Sequence, residues 1–375
     1  MSLREWKGGT AQAALLAENT VFCLSVTLRR GRSGARGTVR YLGVLGSAAL
    51  AAAIALGGCS SSAAPVKAGT TAAHTLTLAQ AQQVYDAYVA TSTAAAKQGD
   101  ESEGLEHVGD AQWAFLHSQY TALSTTGTPV AQYSYGTPVF YVPALADFPL
   151  WFVVAVPIRT ETDGHLGPAV NTLLAFQRYV PSRLWTLDGS AVLDRPLPAI
   201  ARDADGYVSG VSAADSSLLL PPELVGATQA AVVDEGPAAP AAAVIASGLQ
   251  TTGMYTAQNA QGNADSTQGL NYEWLLQSAS FAQYQLQTTD GGALVIYSMY
   301  LNTTTEHPGN VSGTPIAVPA NFVPILPTTA KKVGPHGVSA NWTYEFAAVD
   351  PPQSAHGAKV EVIAGSGAPT YGHGY

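Results

Sequence analysis

Five arginines, an apolar stretch and a cysteine, in that order, most constrain what this chain can fold into. Arg29, Arg30, Arg32, Arg36 and Arg40 precede Tyr41–Gly58, 18 residues of Ala, Leu, Gly, Val and Ile with one Tyr and one Ser. Leu56-Gly57-Gly58-Cys59 closes the segment. A basic flank favours the cytoplasmic side of a membrane. The apolar length falls between a secretory core and a spanning helix, so length alone does not decide. The residues before Cys59 do. Gly57 and Gly58 offer a signal peptidase an extended backbone with no bulk to clash. Cysteine, where a simple cleavage site has a small residue, marks export with lipid attachment. Residues 1–58 are read as a signal sequence, removed before the protein folds. The Cys59 thiol then carries a diacylglyceryl group and becomes the new N-terminus.

Two consequences limit the fold. The 58 residues before Cys59 exceed the usual secretory length of about 15–30. The start is therefore read as over-called, with Val26 as an alternative that leaves 33 residues ahead of Cys59. Cys59 is also the only cysteine after the cut, since Cys23 lies upstream. No disulfide can form within the mature chain, and stability must come from apolar burial. Twin-arginine export fits less well, because Gly31-Arg32-Ser33 lacks the apolar residues that usually follow the pair.

Charge excludes some partners. Seven of the 17 basic and two of the 26 acidic residues lie in 1–58, which leaves ten and 24, a net charge of −14. Nucleic acid requires a basic surface and is excluded. Attraction to an anionic membrane surface is excluded too, so the lipid on Cys59 must do the holding.

Residues 59–75 are mainly Ser, Ala, Pro, Gly and Thr and read as a flexible tether, reaching roughly 20 Å. Thr77 and Gln80 form a capping box ahead of Leu78, Ala81, Val84, Tyr85 and Tyr88 at helical spacing, with Gly99 as the stop. A second helix is expected from Asp100, burying Leu105, Val108, Trp113, Leu116 and Tyr120, with Gly104 and Gly109 weakening it. Strands are expected within 130–142, 149–159, 169–178 and 183–193. The order then recurs. Helices are expected at 223–233 and 238–249. Extended segments follow at 271–288, a hairpin at Thr289-Asp290-Gly291-Gly292, and strands at 293–300, 338–349 and 359–364. The two halves align best as 149–159 with 292–302, and 171–178 with 341–348. The expected class is α+β with two tandem domains, 76–194 and 223–375, joined by a linker at 195–222. Each would pack N-terminal helices on a curved antiparallel sheet, in the manner of nuclear-transport-factor-2 (NTF2-like) or cystatin-like domains.

Four features together resemble actinobacterial cell-surface lipoproteins that carry an uncharacterised tandem domain. They are the Cys59 motif, Pro149-Leu150-Trp151-Phe152-Val153-Val154-Ala155, Asp203-Ala204-Asp205-Gly206-Tyr207, and Thr289-Asp290-Gly291-Gly292-Ala293-Leu294-Val295. The resemblance covers most of the mature chain. It implies a location on the outer face of the cell membrane and carries no activity with it.

No catalytic or cofactor signature follows Cys59. Glu101, Glu103, Glu106, His107, Asp110 and His117 are the densest ionisable cluster and read as a solvated helix face rather than a cation site. Asp203, Asp205 and Gly206 begin like a calcium loop, but the twelfth position is Ala214, with Asp215 one beyond. Ser339 sits in no nucleophile motif. Gly365-Ser366-Gly367 precedes no helix, which argues against a phosphate loop. The sequons at Asn302, Asn310 and Asn341 read as chance. The Tyr and Trp residues read as core and strand-pair residues rather than a sugar platform. The expected function is a non-catalytic binding or interaction lipoprotein, its partner an envelope protein or small ligand. The alternatives are an enzyme with its pocket in one cone-shaped sheet, and a structural envelope component. Cys59→Ala is expected to abolish incorporation of a fatty-acid analogue and to release the protein from membranes. A mutant that still labels and sediments with membranes would overturn the assignment of Cys59.

Overall fold

The computed structural model describes residues 76–375, Asp163 apart. The expected signal sequence and tether, with Leu56, Gly57, Gly58 and Cys59, lie outside the described residues.

Three helices open the structure: α1 (Leu78–Gln98), α2 (Glu101–Glu106) and α3 (Asp110–Thr126). The capping box starts α1. Thr77 Oγ1 accepts from Gln80 N, and Gln80 Oε1 accepts from Thr77 N. Gly99 ends it at φ 68, a left-handed conformation that glycine adopts without a Cβ penalty. The single helix expected from Asp100 is two. The chain breaks at His107–Gly109, where Leu187 N donates to His107 O and Gly109 N donates to Leu187 O. The break thus adds a short parallel bridge to a strand edge. Gly109 is required there, because a Cβ would lie 2.4 Å from the Asp188 carboxylate.

All strands pair antiparallel. The first sheet contains β1 (Gln132–Tyr135), β2 (Val139–Tyr141), β3 (Leu150–Thr162), β4 (His165–Leu166), β5 (Val170–Arg178) and β6 (Thr186–Val192). Its order is β1-β3-β5-β6, with β2 beside the start of β3 and β1 beside its end. Two further helices follow, α4 (Pro222–Glu235) and α5 (Met254–Ser266). The second sheet contains β7 (Asn271–Ser278), β8 (Tyr284–Gln287) and β9 (Ala293–Glu306). After the short pair β10 (Ile316–Ala317) and β11 (Val333–Gly334), it adds β12 (Gly337–Asp350) and β13 (Glu361–Gly374). Its order is β7-β9-β12-β13, with β8 beside the start of β9. The first sheet's order and pairing therefore recur in the second, and β3 corresponds to β9 and β5 to β12. The expected helix at 238–249 is only a 3-10 turn at Pro240–Ala243, and α5 was not anticipated. Alanine content suggested a helix where Pro237, Pro240 and Gly248 interrupt one. The α5 sequence, MYTAQNAQGNADS, has too few apolar residues to show a period.

Both sheets bury both faces. Phe152, Val154 and Val156 of β3 pack with Leu174 and Phe176 of β5 against Ala81 and Tyr85 of α1. The opposite face presents Val153, Leu173 and Ala175. These meet Leu286, Leu294, Ile296, Ala347 and Ile363 of the second sheet in one cluster. The second sheet's outer face carries Val295, Tyr297, Met299 and Phe346 against Val225, Val232 and Met254 of α4 and α5. The layers run helix, sheet, sheet, helix. This explains why 150–156 and 293–299 are continuous apolar runs, as strands covered on both sides tend to be.

Residues 195–222 run along this core. Ile200, Val208 and Leu218 are buried, and the segment makes bridges to Thr288, Leu286 and Pro352. Its exposed stretches include 202–205, and 212–214 with 216–217 about the half-buried Asp215. A protease site placed between Ser212 and Ser217 is therefore expected to be cut while the halves stay associated and elute at the uncut size. Halves that separate after cleavage under native conditions would mean that the shared cluster does not hold them.

Candidate functional site

Between α5 and the second sheet lies an open cleft of about 810 Å³. Its floor is Leu301, Thr303 and Thr305 of β9 with Ala340, Trp342 and Tyr344 of β12. Gln258, Gln261 and Asp265 of α5 form one wall, and Phe322, in the 3-10 segment Ala320–Ile325, lies opposite. Tyr272 of β7 closes one end, its hydroxyl donating to Gln258 Oε1 at 2.6 Å. Asp265 is buried and accepts from Gln261 Nε2 at 2.8 Å and from Thr305 Oγ1 at 3.0 Å.

Two features of sequence build this cleft. A π-helical turn at Leu249–Gly253 leads into α5, and such turns are frequent at functional sites. Gln229 Nε2 donates to the Gln250 carbonyl, while Gln229 Oε1 accepts from the Tyr297 hydroxyl at 2.6 Å. The Gln250 side chain lies across Gly365, where a Cβ would meet it at 2.5 Å. Gly367 likewise leaves room for the Tyr344 ring, which a Cβ would meet at 2.0 Å. Gly365-Ser366-Gly367 is thus the bare middle of β13 on which Gln250 and Tyr344 lie, and β13 runs ten residues beyond the expected strand end at 364.

A second opening of about 380 Å³ lies where α3 and the first sheet meet the second half, lined by Tyr88, Tyr133, Gln112 and Ser190 on one side and by Asn321, Pro324 and Ser366 on the other. Behind it, between the sheets, lies a cluster of carboxyls from distant parts of the chain. Glu345 is 1 % exposed. Its Oε2 accepts from Ser190 N at 2.9 Å and from Gln112 Nε2, while Oε1 has no partner. Asp188 accepts from Thr186 Oγ1 at 2.5 Å and from the Tyr284 hydroxyl at 3.4 Å. Asp110, at φ 44, accepts from the Tyr179 hydroxyl at 3.0 Å and from Ala282 N at 3.3 Å. Burial pushes the Asp188 carboxyl up to about 7, with the Thr186 hydroxyl opposing it and the Asp110 charge adding to it. Burial raises Glu345 well above the carboxylate range and raises Asp110. Burial also lifts Asp350, at the end of β12, to about 7.

The acidic candidates read from sequence do not converge. Glu101 pairs with His117 at 2.8 Å and Glu103 with His107 at 3.6 Å, both on the surface. Asp110 turns inward instead. Among the described residues no group of three His, Cys, Asp or Glu stands close enough to hold a metal. Asp203 accepts from the N–H groups of Asp205 and Tyr207, which makes a tight turn with Gly206 at φ 89. Asp215 accepts from the Ser217 N–H and hydroxyl, apart from that turn. Ser339 contacts Asn341 within β12. Asn302 and Asn341 are directly opposed across β9 and β12, with Asn341 Nδ2 donating to Asn302 Oδ1. Glu345, Asp188 and the aromatic floor carried no spacing signal. Their only mark in sequence is a charged residue inside a strand otherwise apolar.

A raised native pKa means that the folded protein holds protons that the unfolded chain releases between about pH 4 and 7. Stability from these groups is full below the unfolded carboxylate range and is lost as pH rises through 7. Each carboxyl near 7 contributes a decline on the order of 2 kcal/mol between pH 5 and 8. The melting temperature is expected to be several degrees higher at pH 5 than at pH 8, and Asp188→Asn to flatten that dependence. A wild-type melting curve independent of pH over this range would contradict it.

No helix among the described residues is long and apolar enough to cross a membrane. A protein of Streptomyces avermitilis called an uncharacterized lipoprotein is 29 % identical over 162 residues, 42 % of this chain. The match spans 44 % of that relative's length. A family model described as a domain of unknown function, DUF8094, matches residues 72–374, nearly the whole region beyond the tether, and the chain belongs to that family.

Proposed function

We propose that this chain is a lipoprotein of the cell envelope, held on the outer face of the membrane by lipid on Cys59. Residues 76–375 would act as a non-catalytic binding module whose ligand enters the cleft under α5. The observation that carries this reading is the 810 Å³ opening with side chains from α5, β7, β9 and β12 converging on it. Its size is that of small-ligand sites. None of the carboxyls with raised pKa is in its lining, and Asp188 and Glu345 lie between the sheets, which favours binding over catalysis. The Streptomyces relative's printed name supports lipid anchoring, and its organism supports the actinobacterial resemblance.

We also propose that the two halves are a tandem duplication, each broadly NTF2-like or cystatin-like. The recurrence of one strand order, each sheet with helices on one face, supports it.

Ala257 is exposed at the cleft's edge on α5. Ala257→Trp would fill the mouth without disturbing the core. Mature protein purified in detergent should be retained on insoluble envelope material, and Ala257→Trp should lose most of that retention at an unchanged melting temperature. Equal retention of the two would overturn the cleft as the binding site.

A further inference from the structure

The lining of the large cleft specifies a chemical class. We infer that it takes a neutral, hydroxyl-rich ligand, a short stretch of uncharged glycan. The inference rests on the cleft being the ligand site.

The first observation is an aromatic panel. Trp342 and Tyr344 are two residues apart on β12, so both project from the same face. Their ring centroids are 6.2 Å apart with 23° between planes. The two rings are stacked, and both border the cleft. The panel is held from beneath and beside. Tyr344 stacks on Phe346 at 5.5 Å and 3°. Phe322 meets Trp342 edge-on at 5.4 Å and 89°. Gly367 leaves the space that the Tyr344 ring occupies. Both rings are half-buried and reach the cleft. An aromatic face carries negative quadrupole density, to which the C–H face of a sugar ring is complementary.

The second observation is the polar complement. Gln258, Gln261, Thr303 and Thr305 bring amides and hydroxyls beside the panel. Tyr272 holds Gln258 by its Oε1, leaving the amide N–H groups as donors. An apolar ligand would desolvate the Gln258 amide N–H groups without pairing them.

The third observation is charge. Among the described residues that line the cleft there is no Lys or Arg. The imidazole of His307 is engaged with the Thr314 carbonyl at 2.9 Å, and the Asp265 carboxylate with Gln261 and Thr305. Neither an anion nor a cation finds an unengaged counter-charge. A peptide adding a strand needs a sheet edge. The floor strands β9 and β12 are both interior, so the floor itself offers none.

The test uses the mature protein in a polyoxyethylene detergent, since glycosidic detergents would compete. Tetrasaccharides of the malto-, cello-, chito- and manno-series are titrated against tryptophan fluorescence and by calorimetry. Oleate, inorganic tripolyphosphate and a neutral tetrapeptide serve as the other probe classes. At least one tetrasaccharide should bind saturably. Trp342→Ala and Gln258→Ala should each weaken it tenfold or more. Gln258→Ala is read if Trp342→Ala lowers the melting temperature. Saturation by another class, blocked by Ala257→Trp, with no tetrasaccharide binding would overturn the glycan class and leave the cleft as the site. Binding by no probe of any class would overturn both.

Discussion

The face-to-face burial of the two sheets is the interaction on which the rest depends. Val153, Leu173 and Ala175 on one side and Leu294, Ile296, Ala347 and Ile363 on the other are removed from water only together. With no cysteine left after Cys59, this apolar surface does the work that disulfides do in many exported domains. It also fixes where the helices can go. Each sheet has one face taken by the other sheet, so its helices must cover the opposite one, and a cleft opens wherever they fail to reach the sheet's end.

That same interface makes the buried carboxyls costly. Glu345 projects into it with one oxygen paired and one without a partner. A charge there would be penalised by several kcal/mol, so the group stays protonated instead. Asp188 and Asp110 approach from the first half, with Tyr284 and Tyr179 between them. The cluster ties α3, β6 and β12 together across the chain. Its protonation couples the packing of the halves to pH.

The clefts follow from what the strands omit. Gly365 and Gly367 strip β13 of side chains, so large groups from neighbouring elements lie across it. Gln250 fills one vacancy and anchors the turn into α5. Tyr344 fills the other, stacked between Trp342 and Phe346. A rigid aromatic floor needs no reordering when a ligand arrives, which reduces the entropic cost of binding.

Local signals were legible because their causes are local. The capping box at Thr77 and Gln80, the stop at Gly99, the hairpin at Asp290-Gly291 and the apolar strands at 150–156 and 293–299 all appear where sequence placed them. The pairing of 149–159 with 292–302, and of 171–178 with 341–348, falls on strands with equivalent places in the two sheets. The export signal and Cys59 were read from order and composition alone and stand outside the described residues. Tertiary structure alone decided the break at His107–Gly109, because the edge of β6 competes there with helix propagation. It alone decided α5, whose polar sequence docks on β7 behind a turn that Gln229 holds. It alone set Trp342 and Tyr344, packed against the core as expected, beside a cleft as well, and brought Glu345 to Ser190 and Gln112. Those contacts join residues 155 and 233 positions apart. No periodicity in sequence encodes them, since their geometry exists only once both sheets have closed on one another.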